Sequence, residues 1–476
     1  MSVFRHTADI PHTREAVTGW YASPGAIQRL SPDWNSKVLQ EPSDGLNPGS
    51  VTKLLMGVPW ADDALPGKLP IRAGARWRAV HTEYTPGESF TDVMDRGPLR
   101  SWRHDHSFAD AAGGGTTVSD KVTYELPGGL QNRIRLSARV FEGELERVFG
   151  FRTRNTRADL DFHARLRELR AEPMTVAISG ASGLVGTQLS ALLRSGGHRV
   201  ITLKRRTGYS GRIGADTIAW DPSQGELDAR LLAGVDVVVN LSGAGIAGPF
   251  TDKHKEEVLQ SRLDATGTIV RAMREAVEHD GPRTLVNASA SGYYGHDAGE
   301  VDEQAGPGDD FLAEVCRRWE DAAWEAEQAG IRVAMIRTGL VMNSAGGLLA
   351  AQLPLYFAGG GGPLGGGEMW QPWISLDDLV QIYAWVAANP EVSGPVNAAA
   401  PGGVRQREFA KTLGKVIHRP AVIPTPAAAP AALLGKQGAR ELALSSARLV
   451  PAVLESHGYE FRFTRLEDAL RHTLGK

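Results

Sequence analysis

Residues 175–206, TVAISGASGLVGTQLSALLRSGGHRVITLKRR, combine an apolar stretch, three spaced glycines, a helical stretch and a second apolar stretch. This order predicts a β-strand, a tight turn, an α-helix and a parallel strand. Gly180 permits the turn, Gly183 lets a pyrophosphate approach the backbone, and Gly186 allows close helix–strand packing. A glycine triplet alone could be any tight turn, but here strand, spacing and helix agree, so we predict a nucleotide site. The residues expected to form it are Gly180, Ser182, Gly183, Leu184, Val185 and Gly186.

The second strand of this unit ends in Lys204, Arg205 and Arg206. A site for NAD usually places an acid here to accept from the ribose 2′-hydroxyl, whereas a site for NADP places a cation for the 2′-phosphate. Three cations and no acid favour NADP(H), with Arg205 and Arg206 as the contacts. The alternative is a solvated basic loop.

The pattern around this unit predicts the fold class and the domains. Before residue 165, alternating or aromatic-rich runs are separated by turn signals, which predicts an antiparallel meander that ends in a helix. After Met174 strands alternate with helices, which predicts a doubly wound parallel sheet of Rossmann type. The expected fold class is α/β, with an α+β domain before the Rossmann domain. The predicted domains are 1–168, 174–396 and a small C-terminal module, 397–476.

Three later strands end in residues that suit cofactor binding at the carboxyl edge of the sheet. VDVVVN, residues 235–240, ends in Asn240, and the small residues Ser242 and Gly243 follow it. Small residues at the carboxyl end of a parallel strand let a ligand lie close, although a plain strand-to-loop turn explains them nearly as well. The next two strands end near Ser289 and near Arg337 and Gly339, which we add to the predicted cofactor site.

Composition excludes several classes of protein. The 476 residues are 42% hydrophobic and 22% charged, with net charge −3, which gives no electrostatic footprint for nucleic acid or an anionic membrane. The single cysteine fits a reducing compartment, and no apolar run approaches the length that spans a bilayer. We expect a cytoplasmic protein with a small-molecule substrate and no nucleic-acid or membrane partner; the oligomeric state stays open.

Several motifs together resemble the extended and atypical branch of the short-chain dehydrogenase/reductase superfamily, and more narrowly its "epimerase family" proteins. They occur in order from residue 174 to 476: GASGLVG, NLSGAGI, SRLDAT, SASGYYG, DDFLAEVCRRWE, RTGLVM and WISLDDLV. The tail, ALSSARLVPAVLESHGYEFRFTRLEDAL, resembles the small C-terminal module of that family. The resemblance implies a sugar-epimerase-like fold and NAD(P) binding.

The resemblance also shows a departure at the catalytic pair. In the extended branch a tyrosine and a lysine stand eight and four residues before a helix glutamate. If Glu320 is that glutamate, Leu312 and Cys316 occupy the two positions. Leucine has no proton to give, and a thiol cannot replace the ammonium that lowers the tyrosine pKa. The usual proton relay is therefore expected to be absent, as in other atypical members.

Other residues could replace parts of that relay. Ser289 matches the family's serine at the strand end and could polarise a carbonyl, and Tyr293 is the nearest phenol, although it could instead pack under the nicotinamide. Cys316 could be a nucleophile, but a helix cysteine in apolar surroundings is more often a small core residue. Asp377 and Asp378 are expected to cap a helix.

The N-terminal 165 residues resemble the START-like helix-grip group, also called SRPBCC or polyketide-cyclase-like. The resemblance rests on an early helix (13–32), a long antiparallel sheet, a final helix and the stretch SWRHDHSF (101–108). It implies a cavity for a small apolar ligand. His104 and His106 should share a strand face, but no third ligand is visible, so we expect a polar strand face and no metal.

Two functions remain open at this point. The first is an NADP(H)-dependent oxidoreductase or epimerase acting on a small molecule, with Ser289 and Tyr293 assisting. The second is a non-catalytic protein that senses nucleotide and ligand. The missing pair favours the second function, and the complete cofactor frame with its strand-end serine favours the first.

Overall fold

The N-terminal part is built on one antiparallel sheet. The computed structural model describes residues 1–57, 74–127 and 135–476. The first seven strands are β1 (Ser2–Ile10), β2 (Ser36–Gln40), β3 (Val51–Gly57), β4 (Gly74–Thr85), β5 (Ser89–Arg96), β6 (Ser101–Asp110) and β7 (Thr116–Glu125). They lie in the order β1-β7-β6-β5-β4-β3-β2. Strands β2 to β7 therefore form a meander, and β1 pairs with β7 at its end.

Among the described residues, three helices accompany this sheet: α1 (Arg14–Ala22), α2 (Ala26–Leu30) and α3 (Arg135–Leu169). The single early helix expected over 13–32 is two helices, because Gly25 between them takes the left-handed φ of 91°, which a continuous right-handed helix does not allow. Phe149 of α3 packs with Phe4, Val122 and Tyr124 of the sheet. The expected antiparallel sheet and final helix are present, but β1 of the sheet precedes the early helices, which the sequence did not predict.

Sheet and helices enclose a cavity of about 430 Å³, lined by aromatic residues that include Tyr21, Trp77 and Phe90. His104 and His106 share one face of β6, as predicted. That face is the buried inner wall of the cavity, where the histidines are 3% and 6% exposed, and this burial was not predicted. The period of two shows which residues share a face but not which face the helices cover.

The rest of the chain contains the parallel sheet. Its strands and those of the smaller sheets are β8 (Thr175–Ser179), β9 (Arg199–Arg205), β10 (Gly211–Gly214), β11 (Thr217–Trp220), β12 (Val237–Asn240), β13 (Thr284–Ala290), β14 (Asp297–Val301), β15 (Arg332–Thr338), β16 (Leu340–Met342), β17 (Trp370–Gln371), β18 (Trp373–Ser375), β19 (Gly394–Ala398), β20 (Val404–Arg405) and β21 (Ser446–Leu449). Eight strands form the main sheet in the order β10-β11-β9-β8-β12-β13-β15-β19. Neighbouring strands of this sheet are parallel, except that β10 and β11 pair antiparallel.

This topology confirms the predicted Rossmann-like α/β fold. The order reverses beside β8, so ligands are expected outside the carboxyl ends of β8 and β12. The helices of this part are α4 (Leu184–Ser195), α5 (Asp252–Ala276), α6 (Phe311–Trp324), α7 (Gly347–Phe357), α8 (Leu376–Ala388), α9 (Gln406–Ile417), α10 (Ala429–Gly438), α11 (Ala452–Ser456) and α12 (Leu466–Leu474). The last four belong to the small C-terminal module, and β19 runs across its predicted boundary at 396/397.

Charged side chains join the N-terminal part to the rest of the chain. Arg29, 3% exposed, contacts Asp159 of α3 at 2.7 Å and Asp377 of α8 at 2.8 Å. Asp377 also lies 2.8 Å from His472 of α12. The prediction that Asp377 and Asp378 cap a helix was wrong, because the cap of α8 is Ser375, whose Oγ accepts from the Asp378 N–H. The two acids instead connect α8 to neighbouring elements.

Within the described part of the chain, no helix is both long enough and apolar enough to cross a lipid bilayer.

Candidate functional site

The glycine loop between β8 and α4 forms the centre of the site. Gly180 has a φ of +70°, and a Cβ there would lie 2.8 Å from the Leu241 carbonyl oxygen. A Cβ on Gly186 would collide with the Gly180 carbonyl oxygen. On Gly183, in contrast, a Cβ would meet only that oxygen, at 3.3 Å. Packing within the protein therefore gives little reason for a glycine at this position. The space in front of Gly183 is open.

The start of α4 offers hydrogen-bond donors to that space. Gly183 is the N-cap, and no side chain caps the helix. Its first-turn N–H groups and the positive end of the helix dipole therefore suit an anionic group. Ser182 and Gly183 are exposed, while Leu184 and Val185 are half-buried. These residues fit the pyrophosphate of a dinucleotide, as the sequence predicts.

The predicted basic residues lie on the neighbouring strand. Ser179 at the end of β8 pairs with Leu203 of β9, so the residues that follow Leu203 are next to the glycine loop. Lys204, Arg205 and Arg206 are all exposed. The Arg206 guanidinium stacks on the Tyr209 ring at 4.9 Å. The position is open to a phosphate.

The side chain of Asn240, which was predicted to contact the cofactor, is engaged in hydrogen bonds within the protein. Its side-chain oxygen accepts from Ser179 Oγ at 2.6 Å and from the Ser242 N–H at 3.2 Å. Its amide donates to Thr266 Oγ1 at 3.0 Å and to Asn287 Oδ1 at 2.7 Å. All four hydrogen-bonding positions of the amide are thus used within the protein. Asn240 ties the strand ends together, and the half-buried Ser242 and exposed Gly243 are left to face a cofactor.

Ser289 and Arg337 meet at a buried carboxylate. Ser289 Oγ donates to Glu320 Oε1 at 2.6 Å. Arg337 binds the same carboxylate in bidentate fashion at 2.9 and 2.8 Å, and all three residues are less than 5% exposed. Burial alone would lower the pKa of Arg337, but its hydrogen bonds and the charge of Glu320 outweigh this and raise the pKa.

This network changes the predicted role of Ser289. Its one proton points to Glu320, so the hydroxyl cannot donate to a substrate carbonyl in this arrangement. Arg337 also donates to Tyr294 Oη at 3.0 Å, and its guanidinium lies 3.4 Å from the centre of the Tyr293 ring. With most of its donors and one face engaged, Arg337 orders the floor of the site, and its contact with a cofactor stays a prediction.

Gly339 is likewise explained by packing. A Cβ there would collide with the Pro372 carbonyl oxygen, and the Gly339 N–H donates to Ala398 O at 3.0 Å. The glycine allows two backbone segments to approach closely, and its contact with a cofactor stays a prediction.

The face of α6 toward the site carries no standard proton relay. Leu312, Cys316 and Glu320, four residues apart, are each buried. A Cβ on Gly292 would lie 3.4 Å from Leu312 Cβ and 3.8 Å from Cys316 Sγ, which places both beside the loop after β13. Burial, with a smaller effect of Glu320, raises the pKa of Cys316 to about 12, so the thiol stays protonated and unreactive.

Tyr293 and Tyr294 have different surroundings. Burial raises the pKa of Tyr294 to about 12, and its hydroxyl donates to Asn397 Oδ1 at 2.7 Å. Tyr293 is half-buried and is held in place by its stacking on Arg337. Tyr293 is therefore the phenol available to a bound molecule.

Arg262 is a residue of the site that the sequence analysis did not assign. It is on α5, where it donates to Ala244 O at 3.1 Å and stacks on Trp319 at 4.9 Å. Its guanidinium would lie 3.1 Å from a Cβ on Gly243. Burial lowers the pKa of Arg262. The signal in the sequence was the motif SRLDAT, residues 261–266, which contains Arg262 but was given no role.

Known families match two regions of the chain. Residues 176–399 match the NAD dependent epimerase/dehydratase family, and residues 425–473 match a domain of unknown function, DUF1731. An epimerase family protein of Mycobacterium bovis is 38% identical over 297 residues, which are 62% of this chain and 96% of that protein. The chain belongs to the epimerase family. The family resemblance predicted for residues 174–476 is confirmed.

Two solved structures extend this relationship. A nucleoside-diphosphate sugar epimerase from Corynebacterium glutamicum is 34% identical with a TM-score of 0.78, covering 99% of this chain and 90% of that one. The human epimerase family protein SDR39U1, solved with NADPH, is 31% identical with a TM-score of 0.57, covering 63% of this chain and 99% of that one. The first likeness includes the N-terminal part, whose assignment to the helix-grip group stays a prediction.

Proposed function

We propose that this epimerase-family protein binds NADP(H) and uses it to oxidise, reduce or epimerise a small molecule. The main support for NADP(H) binding is the start of α4, which no side chain caps and which has open space in front of Gly183. The NADPH in the human relative supports the same choice of cofactor. Bound here, the cofactor would supply or accept the hydride.

The residues of the chain divide the work of binding. The first-turn N–H groups of α4 would hold the pyrophosphate, and Arg205 and Arg206 would hold the 2′-phosphate. Ser242 and Gly243 would let the cofactor cross the end of β12. The buried pair Glu320 and Arg337 would keep the floor rigid, since both charges are compensated.

Tyr293 is the proposed proton donor. Its ring is fixed on Arg337, and no hydrogen bond of its hydroxyl occurs among the described residues, so the hydroxyl is available to a substrate. Ser289 becomes a positioning residue, because its proton is directed to Glu320.

The first experiment tests the cofactor site with Gly183→Val in the full chain. The added side chain would fill the space in front of α4, so we expect at least a tenfold loss of NADPH affinity, measured by fluorescence titration. Gly214→Val is the matched control, since Gly214 is exposed on a hairpin and a Cβ there meets Thr217 at 3.6 Å. NADPH binding that survives Gly183→Val at parental strength would refute the site.

The second experiment distinguishes an enzyme from a non-catalytic sensor. The sensor is favoured by Leu312 and Cys316 at the usual catalytic positions and by the hydrogen bond of Ser289 to Glu320. The protein is incubated with NADPH and a panel of small carbonyl compounds, and the loss of NADPH fluorescence is followed. An enzyme should consume NADPH, and Tyr293→Phe should slow it by ~10²- to 10⁴-fold with NADPH affinity unchanged. Binding without consumption across the panel would favour the sensor.

A further inference from the structure

A cluster of two histidines and two aspartates lies inside the N-terminal cavity, away from the nucleotide site. His104 and His106 of β6 lie between Asp92 of β5 and Asp120 of β7. Asp92 and both histidines line the cavity wall, whereas Asp120 lies behind them. Their side chains are between 3% and 16% exposed, so the cluster is almost entirely removed from solvent.

Asp120 determines which nitrogen of each histidine ring carries a proton and which carries a lone pair. Its Oδ1 lies 3.0 Å from His104 Nε2 and 2.8 Å from His106 Nδ1. His104 Nε2 forms a hydrogen bond with this oxygen, whereas His106 Nδ1 lies close to it without hydrogen-bond alignment. Two lone pairs at such distances would repel each other, so a proton is favoured on each of the two nitrogens. In the neutral rings the other nitrogens, His104 Nδ1 and His106 Nε2, then carry lone pairs. Such an outer carboxylate behind ligating histidines is common at metal sites.

The two lone pairs converge on Asp92. Its Oδ2 lies 3.5 Å from His104 Nδ1 and 3.5 Å from His106 Nε2, which is long for a hydrogen bond. The three ligand atoms all lie within 4.8 Å of one another. Two ligands bound to one tetrahedral ion at about 2.1 Å would lie about 3.4 Å apart. The spacing therefore suits ligands of a shared ion better than hydrogen-bonded partners.

Charge and packing are compatible with an ion here. Two carboxylates in a largely apolar cavity wall are costly unless positive charge compensates them, and a divalent ion would supply such charge. The Phe90 ring stacks on His106 with centroids 3.9 Å apart and an interplanar angle of 18°, so this ring is held in one orientation.

We propose that Asp92, His104 and His106 bind a divalent first-row transition metal ion, such as Zn²⁺ or Fe²⁺, at the wall of the N-terminal cavity. Three protein ligands leave coordination positions open. These positions face the cavity, so the expected ligand is a small apolar molecule with one oxygen donor that reaches the metal while its apolar part contacts Tyr21, Trp77 and Phe90. The site is independent of the nucleotide site.

The test uses the tag-free full chain. Elemental analysis of the purified protein should find about one transition metal per chain. After chelation, added Co²⁺ should produce a visible absorption band at a one-to-one endpoint, and Zn²⁺ should abolish the band. The double variant Asp92→Asn with His106→Gln should lose the band. His81→Gln is the matched control, because His81 lines the same cavity while its Nδ1 contacts Gly45 O at 3.1 Å.

Asp120→Asn separates a metal site from a structural charge cluster, since it leaves all three ligands in place. Loss of the outer carboxylate should weaken Co²⁺ affinity by ~10- to 100-fold. A parent protein that binds no Co²⁺ stoichiometrically and shows no shift in melting temperature with Zn²⁺ would overturn the proposal. So would a full Co²⁺ band in the double variant. Circular dichroism melts of each variant distinguish loss of metal from loss of fold.

Discussion

At the scale of single residues, the site is characterised by where its protons and charges are held. Ser289, Glu320 and Arg337 satisfy one another in a buried network. Leu312 and Cys316 stand where the resemblance to the extended branch implies an acid and an ammonium. The residues still open to a bound molecule are at the edge of this network: the glycine loop, the basic end of β9 and Tyr293.

The first prediction at this scale concerns cofactor choice. The parent protein should bind NADPH more tightly than NADH, because exposed cations and no acid follow β9. Replacing both Arg205 and Arg206 by alanine should shrink the preference, largely through weaker NADPH binding. Fluorescence titration with both nucleotides measures it, and Arg212→Ala on β10 is the control. Equal affinities of the parent for both nucleotides would contradict the assignment.

A second residue-scale prediction separates positioning from catalysis. Ser289→Ala should reduce the free energy of unfolding by about 1–3 kcal/mol, because Glu320 loses a buried hydrogen-bond donor. NADPH affinity should stay within a factor of two of the parent. Denaturant unfolding measures the first effect, with the half-buried Ser291→Ala as control. Unchanged stability together with lost turnover would instead place Ser289 in contact with the substrate.

At the scale of elements, helix ends decide much of the architecture. The uncapped start of α4 leaves donors for an anion, whereas α8 begins with a side-chain cap. Ser375 is 1% exposed; its Oγ accepts from the Asp378 N–H at 2.9 Å and donates to the Asp378 carboxylate at 2.7 Å. The Asp378 carboxylate accepts in turn from the Arg462 N–H, so this cap also fixes the C-terminal module.

The element-scale prediction follows from this double role. Ser375→Ala should lower the free energy of unfolding by about 2 kcal/mol, the upper end for loss of a cap, because a buried carboxylate also loses a donor. Thr251→Ala removes the exposed cap of α5 and is the matched control, with a smaller expected loss. Equal losses in the two variants, measured by urea unfolding, would show that the link to the C-terminal module contributes nothing.

At the scale of the whole molecule, buried polar side chains connect the N-terminal part to the rest. Arg29 is shared between Asp159 and Asp377. His163 of α3 lies 3.2 Å from Ser195 of α4, and the His472 ring of α12 stacks on Phe151 of α3 with centroids 4.9 Å apart. These contacts cross between elements far apart in the chain.

The two junction histidines predict a pH dependence. Burial lowers the pKa of His472 to about 4 and that of His163 to about 3, against an ordinary value of 6.5. Below pH 6.5 the unfolded chain therefore binds more protons than the folded chain, and stability falls as the pH falls towards 4. Each histidine contributes a slope of up to about 1.4 kcal/mol per pH unit.

Urea unfolding between pH 7 and pH 4 measures this dependence. His472→Gln should reduce the slope, and the exposed His457→Gln is the control that should leave it unchanged. A slope that is identical in the parent and in His472→Gln would contradict the proposed neutral, buried state of His472.

Local patterns in the sequence were enough to predict the parallel sheet, the glycine loop and the basic strand end, because neighbouring residues decide them. A strand, a turn and a helix follow from the period of apolar residues and from glycines within one short stretch. The resemblance to the extended branch, with Glu320 as its reference, placed Leu312 and Cys316 on the face of α6 that meets the site. Local patterns also predicted that His104 and His106 share a face, since alternate residues of a strand always do.

The tertiary structure alone decided what those residues contact. Asn240, Arg337 and Gly339 were predicted at the correct strand ends, but their partners come from other elements: Asn240 meets Thr266, Arg337 meets Glu320 and Gly339 meets Pro372. The inner position of the two histidines depended on which face of the sheet the helices cover. Hydrogen bonds and ion pairs between distant segments depend on the packed fold, so no local pattern records them.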